Sequence, residues 1–189
     1  MANKDAAFGL KPIGKVGQNG DNNGLSEYSI AASATAIYFQ DPVAMAATGT
    51  VTVAAAGGVL LGSLNGVFFT DATTSKPTFA NHLNASNTAT DIKGFVTDDP
   101  YQRYEVQSDN TGASAQTDIG NVADIVYAAG SSPDFVSKVE LDDSDLATSD
   151  GQLKVIGVSR DPENSDLTSA NVNFVVTINE HFLKQEAGV

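Results

Sequence analysis

The chain contains two histidines, His82 and His181, and neither stands in a pattern typical of a metal site or of acid–base catalysis. His181 lies in an Asn-Glu-His-Phe stretch without the HExxH spacing that places two imidazoles on one face of a helix. His82 has no acidic residue within eight positions on either side. Because a closed metal site needs about four ligands, we expect no metal and no cofactor.

The acidic residues also lack the spacing of a known site. Residues 142–145 (DDSD) are rich in oxygen, but the alternating D-x-D-x-D-G register and the distal glutamate of a calcium-binding loop are absent. Asp98 and Asp99 precede Pro100, and turn geometry explains this pair without a role in proton transfer. The early glycines do not lead into a G-K-[ST] sequence, so they predict no phosphate cradle. We predict no catalytic residue and expect that the protein is not an enzyme.

Composition disfavours several classes of partner. The chain has 189 residues, a net charge of −13 and no cysteine. Since binding of phosphate groups needs a basic surface, this charge disfavours nucleic acid and anionic membranes as direct partners. No apolar run approaches the ~18 residues that span a bilayer, and the N-terminus lacks the apolar core of a secretory signal.

Short stretches of alternating apolar and polar residues predict an all-β fold, either an antiparallel β-sandwich or a barrel. Convincing helical periodicity is absent from the whole chain. Strands are predicted at residues 92–96, 103–107, 153–158 and 172–178, with turn signals such as Asp-Pro between them. In the last strand, Phe174, Val176 and Ile178 alternate and are predicted to face the core.

Two local predictions concern the middle of the chain. Asn65-Gly66 predicts a hairpin turn between two strands within residues 59–70, because both residue types tolerate a positive φ. Residues 71–91 are polar and rich in Ala, Asn and Thr, which predicts a surface loop.

The N-terminal residues differ in composition from the rest of the chain. The first twenty residues carry three lysines against one aspartate, together with four glycines and one proline, which disfavours a helix or a central strand. We therefore divide the chain into an extended N-terminal arm (1–24), a β-domain (25–178) and a C-terminal tail (179–189). The arm is expected to contact a partner, although Phe8 and Leu10 could instead pack against their own body. The candidate contacts are Lys4, Phe8, Leu10, Lys11, Pro12, Ile13, Lys15 and Val16.

Several segments in order resemble the capsid cement or decoration proteins of tailed bacteriophages, which stabilise the head. They are AAFGLKPIGKVG, AIYFQDPV, LLGSLNGVFFTD, GFVTDDPYQRYEVQSDN, IGVSRDPENSD and VNFVVTINEHF, and together they span most of the chain. The resemblance implies a non-enzymatic, largely β virion protein, made in the host cytoplasm and present in many copies on the outer surface of the head. It supplies no individually essential residue.

The resemblance implies that the major capsid protein is the partner. A symmetric oligomer is also expected, with a trimer favoured, because closed symmetry hides edge strands and lets several arms bind at once. Tyr101 and Tyr104 are possible additional contacts. The alternatives are a carbohydrate-binding module of a virion or cell surface, with these tyrosines as stacking platforms, and a structural protein of the neck or tail.

Overall fold

The computed structural model describes residues 2–17, 24–109 and 114–184. Regular structure in these residues consists of strands and single-turn 3-10 helices, which confirms the predicted all-β class. The strands are β1 (Lys11–Lys15), β2 (Ser26–Ser29), β3 (Pro42–Met45), β4 (Val51–Val53), β5 (Gly62–Thr70), β6 (Pro77–Ala80), β7 (Lys93–Thr97), β8 (Gln102–Gln107), β9 (Val122–Ala123), β10 (Ile125–Val126), β11 (Glu140–Leu141), β12 (Leu153–Val158) and β13 (Asn173–Ile178). The 3-10 turns are η1 (Gln116–Asp118), η2 (Asp143–Asp145) and η3 (Phe182–Lys184). In the described part of the chain, no helix has the length and apolar character needed to cross a membrane.

The strands form antiparallel sheets that pack together as a sandwich. A five-stranded sheet has the order β1-β8-β13-β12-β9. A six-stranded sheet has the order β2-β7-β5-β3-β4, and its remaining strand, β6, pairs with β5. Strands β10 and β11 form a separate pair. In the described residues, β1, β2 and β6 therefore each pair with one neighbouring strand and lie at sheet edges.

Two apolar clusters fill the interior. The cluster of the five-stranded sheet includes Phe174, Val176 and Ile178, which are 2% exposed or less and confirm the alternation predicted for the last strand. The cluster of the six-stranded sheet includes Leu64 and Val67 of β5. Since alternate side chains of a strand point to opposite faces, burial of these residues leaves the other face of each strand directed outward.

The first described residues of the chain are packed against its body, which is the arrangement that the sequence left open for Phe8 and Leu10. Strand β1 pairs with β8, with Lys11 opposite Glu105 and Lys15 opposite Gln102. Leu10 is 0% exposed within the core of the five-stranded sheet, and its amide donates to the carbonyl of Gln40 at 2.9 Å. Leu10 is therefore not available to a partner, because its apolar surface is already removed from water by its own chain.

The approach of this segment to the body requires a glycine before Leu10. Gly9 has a φ of +76°, and a Cβ atom there would collide with the carbonyl oxygen of Gln40 and the side chain of Ser137. The buried side-chain amide of Gln107 holds the residues before Gly9. Gln107 donates to the carbonyl of Lys4 at 3.0 Å and accepts from the amide of Ala6 at 2.8 Å. The segment from Lys4 to Lys15 is thus fixed by backbone contacts as well as by apolar packing.

The hairpin predicted at Asn65-Gly66 is wrong. Strand β5 runs without a turn through both residues, and its register with β7 shifts between Leu64 and Gly66, so Asn65 is an extra residue in a β-bulge. The loop predicted for residues 71–91 is wrong in part, because β6 lies within it and pairs with β5. Asn65-Gly66 therefore forms a bulge within a nine-residue strand that pairs with three neighbours, and not a turn that reverses the chain.

Truncation of Leu10 tests the docking of the N-terminal segment. We expect Leu10→Ala to lower the free energy of unfolding by about 2–5 kcal/mol, because it removes a fully buried side chain and leaves a cavity. The matched control is Ile13→Ala on the same segment, where the side chain is 40% exposed and the expected loss is well under half as large. Urea unfolding of both variants measures the difference. Equal, small losses in the two variants would contradict burial of Leu10.

Candidate interaction surface

Hydrogen bonds and an ion pair at the corner formed by residues 98–101 join strands of the two large sheets. Asp98 accepts hydrogen bonds from the hydroxyl groups of Ser26, at 2.9 Å, and Tyr28, at 2.6 Å, both on β2. Asp99 forms an ion pair with Lys15 of β1 at 2.8 Å and accepts from the amide of Tyr101 at 2.8 Å. The two carboxylates therefore hold edge strands in place, which gives them a structural function.

The same contacts shift the pKa values of the ionisable groups at this corner. The hydrogen bond and charge of Lys15, with the amide of Tyr101, hold the pKa of Asp99 below its ordinary value. Burial and the neighbouring Asp98 raise the pKa of Tyr28 to about 12, so its hydroxyl remains a donor to that carboxylate at neutral pH. Tyr104 is 0% exposed, and its hydroxyl donates to the carbonyl of Thr97 at 2.7 Å.

His181 lies buried beside the corner. It is 0% exposed, and its Nδ1 accepts from the amide of Leu183 at 3.1 Å, which stabilises the turn that follows β13. Burial, with the charge of Lys184, lowers the pKa of His181 to about 4, although Asp98 and Asp99 act in the opposite direction. The imidazole is therefore neutral at neutral pH and positions the exposed Leu183.

Apolar side chains surround this corner on the outside of the molecule. Of the eight large apolar side chains that are exposed in the described residues, five lie here, and we call them the junction surface: Ile13, Val16, Leu25, Tyr101 and Leu183. Tyr101 is 62% exposed and Leu183 is 52% exposed. Leu25 and Ile13 line one hollow of about 560 Å³, and Leu25, Tyr101 and Leu183 line a second of about 490 Å³.

The backbone explains why these side chains point outward. The register of β1 with β8 shifts between Pro12 and Gly14, so Ile13 is a bulged residue outside the regular alternation of the strand, and it is 40% exposed. Val16 continues this edge, and its amide donates to the carbonyl of Tyr101 at 2.8 Å. The Lys184 ammonium lies 4.7 Å from the centre of the Tyr101 ring and covers one of its faces.

A second apolar area adjoins the first on the outer face of the six-stranded sheet. Phe68 of β5 is paired directly with Phe79 of β6, and their ring centroids are 4.8 Å apart. Phe79 also stacks on Phe95 of β7 at 6.0 Å. We call Phe68, Phe79 and Phe95 the phenylalanine face. Phe79 is 75% exposed, and with Leu25 and Phe95 it borders a depression of about 390 Å³ over Gly66.

The structure divides the contact candidates of the N-terminal segment into two groups. Ile13 and Val16 are exposed, whereas Phe8 and Pro12 are half-buried and Leu10 is buried. Lys11 pairs with Glu105 at 3.2 Å and Lys15 pairs with Asp99, so neither ammonium is available as an unpaired charge. Lys4 is exposed, and its carbonyl is held by Gln107 and Asn164. Of the two tyrosines, Tyr101 belongs to the surface and Tyr104 to the core.

The residues that were considered as candidates for metal binding or catalysis make contacts with neighbouring parts of their own chain. Asp142 begins η2, where its carboxylate accepts from the amide of Ser144 at 3.0 Å. His82 is stacked on Phe135, with ring centroids 3.9 Å apart, and is not part of any acidic cluster that the described residues form. Among those residues, no group of three or more His, Cys, Asp or Glu side chains is arranged to hold a metal ion.

Sequence reasoning missed Leu25, Leu183, Phe79 and Phe95 as surface residues. One signal for the phenylalanine face was available. Phe68 and Phe69 are adjacent in a strand, and adjacent side chains point to opposite faces, so one of the two must leave the core. No comparable signal exists for Leu25 and Leu183, because their exposure depends on the corner at residues 98–101. No family model, curated protein or solved structure matches this chain.

The buried His181 predicts a pH dependence of stability. Its pKa is lowered to about 4 in the folded chain from 6.5, so between these values the unfolded chain binds more protons and stability rises with pH. We compare the wild type with His181→Asn, whose Oδ1 can still accept from Leu183. The difference in free energy of unfolding is expected to grow by about 3 kcal/mol as pH increases from 4 to 6.5, and to level off above that. Urea unfolding at stepped pH measures it, and a constant difference would contradict the burial of a neutral imidazole.

Proposed function

We propose that this protein is a non-enzymatic structural protein of a virion that binds the outside of an assembled shell of major capsid protein and staples neighbouring subunits. The observation that supports this proposal is the junction surface. Five exposed apolar side chains gathered around one rigid corner are typical of a surface that meets a partner, whereas scattered single residues would need no explanation. The resemblance to capsid decoration proteins provides the class of partner.

The junction surface suits a binding function because its side chains are held before a partner arrives. Tyr101 is fixed by the hydrogen bond from its amide to Asp99 and by the Lys184 side chain. Leu183 follows the buried His181. Less side-chain and backbone freedom is then lost on binding, so more of the apolar contact energy contributes to affinity.

Apolar contacts are expected to contribute more than ion pairs to the affinity for the shell. Lys11 and Lys15 already form ion pairs within the chain, so their charges are not available to complement an acidic shell. The whole chain has a net charge of −13, so an acidic partner would be repelled rather than attracted. We therefore place the binding energy in Tyr101, Leu183, Leu25 and Ile13.

The stabilising effect on the shell follows from linkage. A protein that binds the assembled lattice, and not the dissociated subunit, lowers the free energy of the lattice by RT ln(1 + [L]/Kd), which is about 2.7 kcal/mol at a hundredfold excess over Kd. One copy that contacts two neighbouring subunits opposes their separation directly. The protein would therefore accumulate on the outer surface of the head after synthesis in the host cytoplasm.

The exposed side chains of the junction surface give less support to the two alternatives, which are carbohydrate binding and a location in the neck or tail. Carbohydrate binding needs open aromatic platforms, but Tyr104 is buried and one face of the Tyr101 ring is covered by Lys184. A neck or tail location would use the same junction surface against a partner of different symmetry. Binding to isolated neck or tail complexes, with none to shells, would favour that location.

Cosedimentation with purified mature shells tests the proposal. We expect saturable binding of the wild type and at least a tenfold higher Kd for the double variant Tyr101→Ser/Leu183→Ser, which removes two exposed apolar contacts. Tenfold corresponds to about 1.4 kcal/mol, well within the contribution of two buried apolar side chains.

The control for this experiment is Ile156→Ser on β12, which removes an apolar side chain that is 39% exposed and lies outside the junction surface. Truncation of the N-terminal segment is not a suitable test, because Leu10 belongs to the core. Thermal unfolding of each variant verifies that the fold is retained. Absence of wild-type binding to any shell preparation would refute the shell proposal, and equal losses in the control and double variant would refute the assignment to the junction surface.

A further inference from the structure

Residues 3–8 are held on the body of the molecule by polar contacts and not by deep apolar burial. The side chain of Asn3 donates to the carbonyl groups of Asp166 and Ala170, at 2.9 Å each, and accepts from the amide of Asp166 at 3.2 Å. All six residues are exposed or half-buried, in contrast to Leu10. They can therefore separate from the body without exposing a core side chain.

Asp5 lies in the middle of these residues, and the contacts of its neighbours fix its position. Gln107 of β8 donates to the carbonyl of Lys4 at 3.0 Å and accepts from the amide of Ala6 at 2.8 Å. The backbone on both sides of Asp5 is thus bound to one side chain. Because β8 ends at Gln107, these contacts hold Asp5 close to the end of that strand, which Asp109 follows two residues later.

Three further carboxyl groups meet at this end of β8. The amide of Asp109 donates to the carbonyl of Leu141 at 2.9 Å, and its carboxylate accepts from the amide of Asp143 at 3.2 Å. Glu140 precedes Leu141 on β11 and is half-buried. Burial raises the pKa of Glu140 to about 7, and the charges of Asp5, Asp109 and Asp143 act in the same direction.

The charged groups that shift the pKa of Glu140 in the described part of the chain are all acidic. On β10, the residue paired with Glu140 is the apolar Val126. On its own side of the pair, Lys138 stands two residues earlier and is exposed to solvent. Residues 110–113, which lie outside the described ranges, have the sequence NTGA and contain no ionisable side chain. Ionisation of Glu140 therefore adds a negative charge to a group of carboxylates that already face one another.

We propose that residues 3–8 form a pH-sensitive latch, which is docked while Glu140 is protonated and is loosened when Glu140 becomes charged opposite Asp5. The direction follows from linkage. Docking brings the charge of Asp5 to Glu140 and favours its protonated form, so protonation favours docking by the same factor. Docking is therefore strongest at acid pH and weakens as the pH rises through about 7.

Release of the latch would change what the molecule offers to a partner. Gly9 joins the latch to Leu10, which stays in the core when residues 3–8 separate. The half-buried Phe8 and the backbone of Lys4 would then become available to another chain above neutral pH. The inference goes beyond the proposed function and does not depend on it, because it concerns contacts within one chain.

Hydrogen exchange of two amides on the same segment tests the latch. The Ala6 amide donates to Gln107, and the Leu10 amide, which donates to the carbonyl of Gln40, serves as the internal reference. When the pH is raised from 6 to 8, the protection factor of Ala6 relative to that of Leu10 is expected to fall at least threefold, which corresponds to a change of about 0.5 in the pKa of Glu140 on docking. An unchanged ratio would overturn the proposal.

Two variants identify the groups responsible. Glu140→Gln removes the titrating carboxyl and keeps its shape, so the ratio should be the same at both pH values. Asp5→Asn should also flatten the dependence, and it should lower the pKa of Glu140, measured by NMR of its carboxyl carbon, by about 0.5 or more. Persistence of the wild-type fall in Glu140→Gln, or an unchanged pKa of Glu140 in Asp5→Asn, would contradict the latch.

The matched control is Glu27→Gln, because the Glu27 side chain is 56% exposed and lies on the other large sheet. This variant should retain the pH dependence of the wild type, and loss of that dependence would show that the effect is not specific to Glu140. Asp41, a buried carboxyl whose pKa is raised to about 6, is kept in every variant. Its ionisation therefore cannot produce a difference between them.

Discussion

The packing of Leu10 into the core of the five-stranded sheet positions the exposed residues that follow it. Leu10 is anchored by its own burial, by the hydrogen bond to Gln40 and by the absence of a Cβ atom on Gly9. Five residues later, the ion pair between Lys15 and Asp99 fixes the other end of β1, with the Lys15 side chain only 12% exposed. Such a partly desolvated pair resists screening more than an exposed pair does. Between these two anchors, the bulge at Ile13 is held outward, and Val16 reaches the carbonyl of Tyr101 just beyond them.

Sheet geometry explains why large apolar side chains remain outside at all. Strand β5 pairs with β7, β3 and β6, so its residues are committed to one register along its whole length. The bulge at Asn65 shifts the alternation once, after which Val67 and Phe69 face the core and Phe68 faces outward. Returning Phe68 to the core would require a one-residue slip that exposes Val67. The phenylalanine face is therefore a consequence of register.

The sequence was sufficient where a prediction depended on alternation alone. The last strand follows a strict period of two, and Phe174, Val176 and Ile178 are buried as that period predicts.

The sequence was insufficient where one local signal is compatible with two structures. Asn-Gly suits a hairpin and a bulge equally, and only the pairing of β5 with three strands decides between them. Leu10 presents the same difficulty, since its burial depends on a groove formed by residues distant in sequence. Of the junction surface, only Ile13, Val16 and Tyr101 were among the candidates, because Leu25 and Leu183 are brought there by the corner at residues 98–101.

The two apolar areas adjoin at Leu25, which borders the depression over Gly66 and both hollows of the junction surface. The side chain of Leu25 therefore belongs to both areas, and a change there would alter them together. The net charge of −13 per chain opposes the close approach of two copies, because like charges repel. Many copies bound side by side on a shell would therefore repel one another, and apolar contacts of each copy with the shell must supply the free energy that offsets this repulsion.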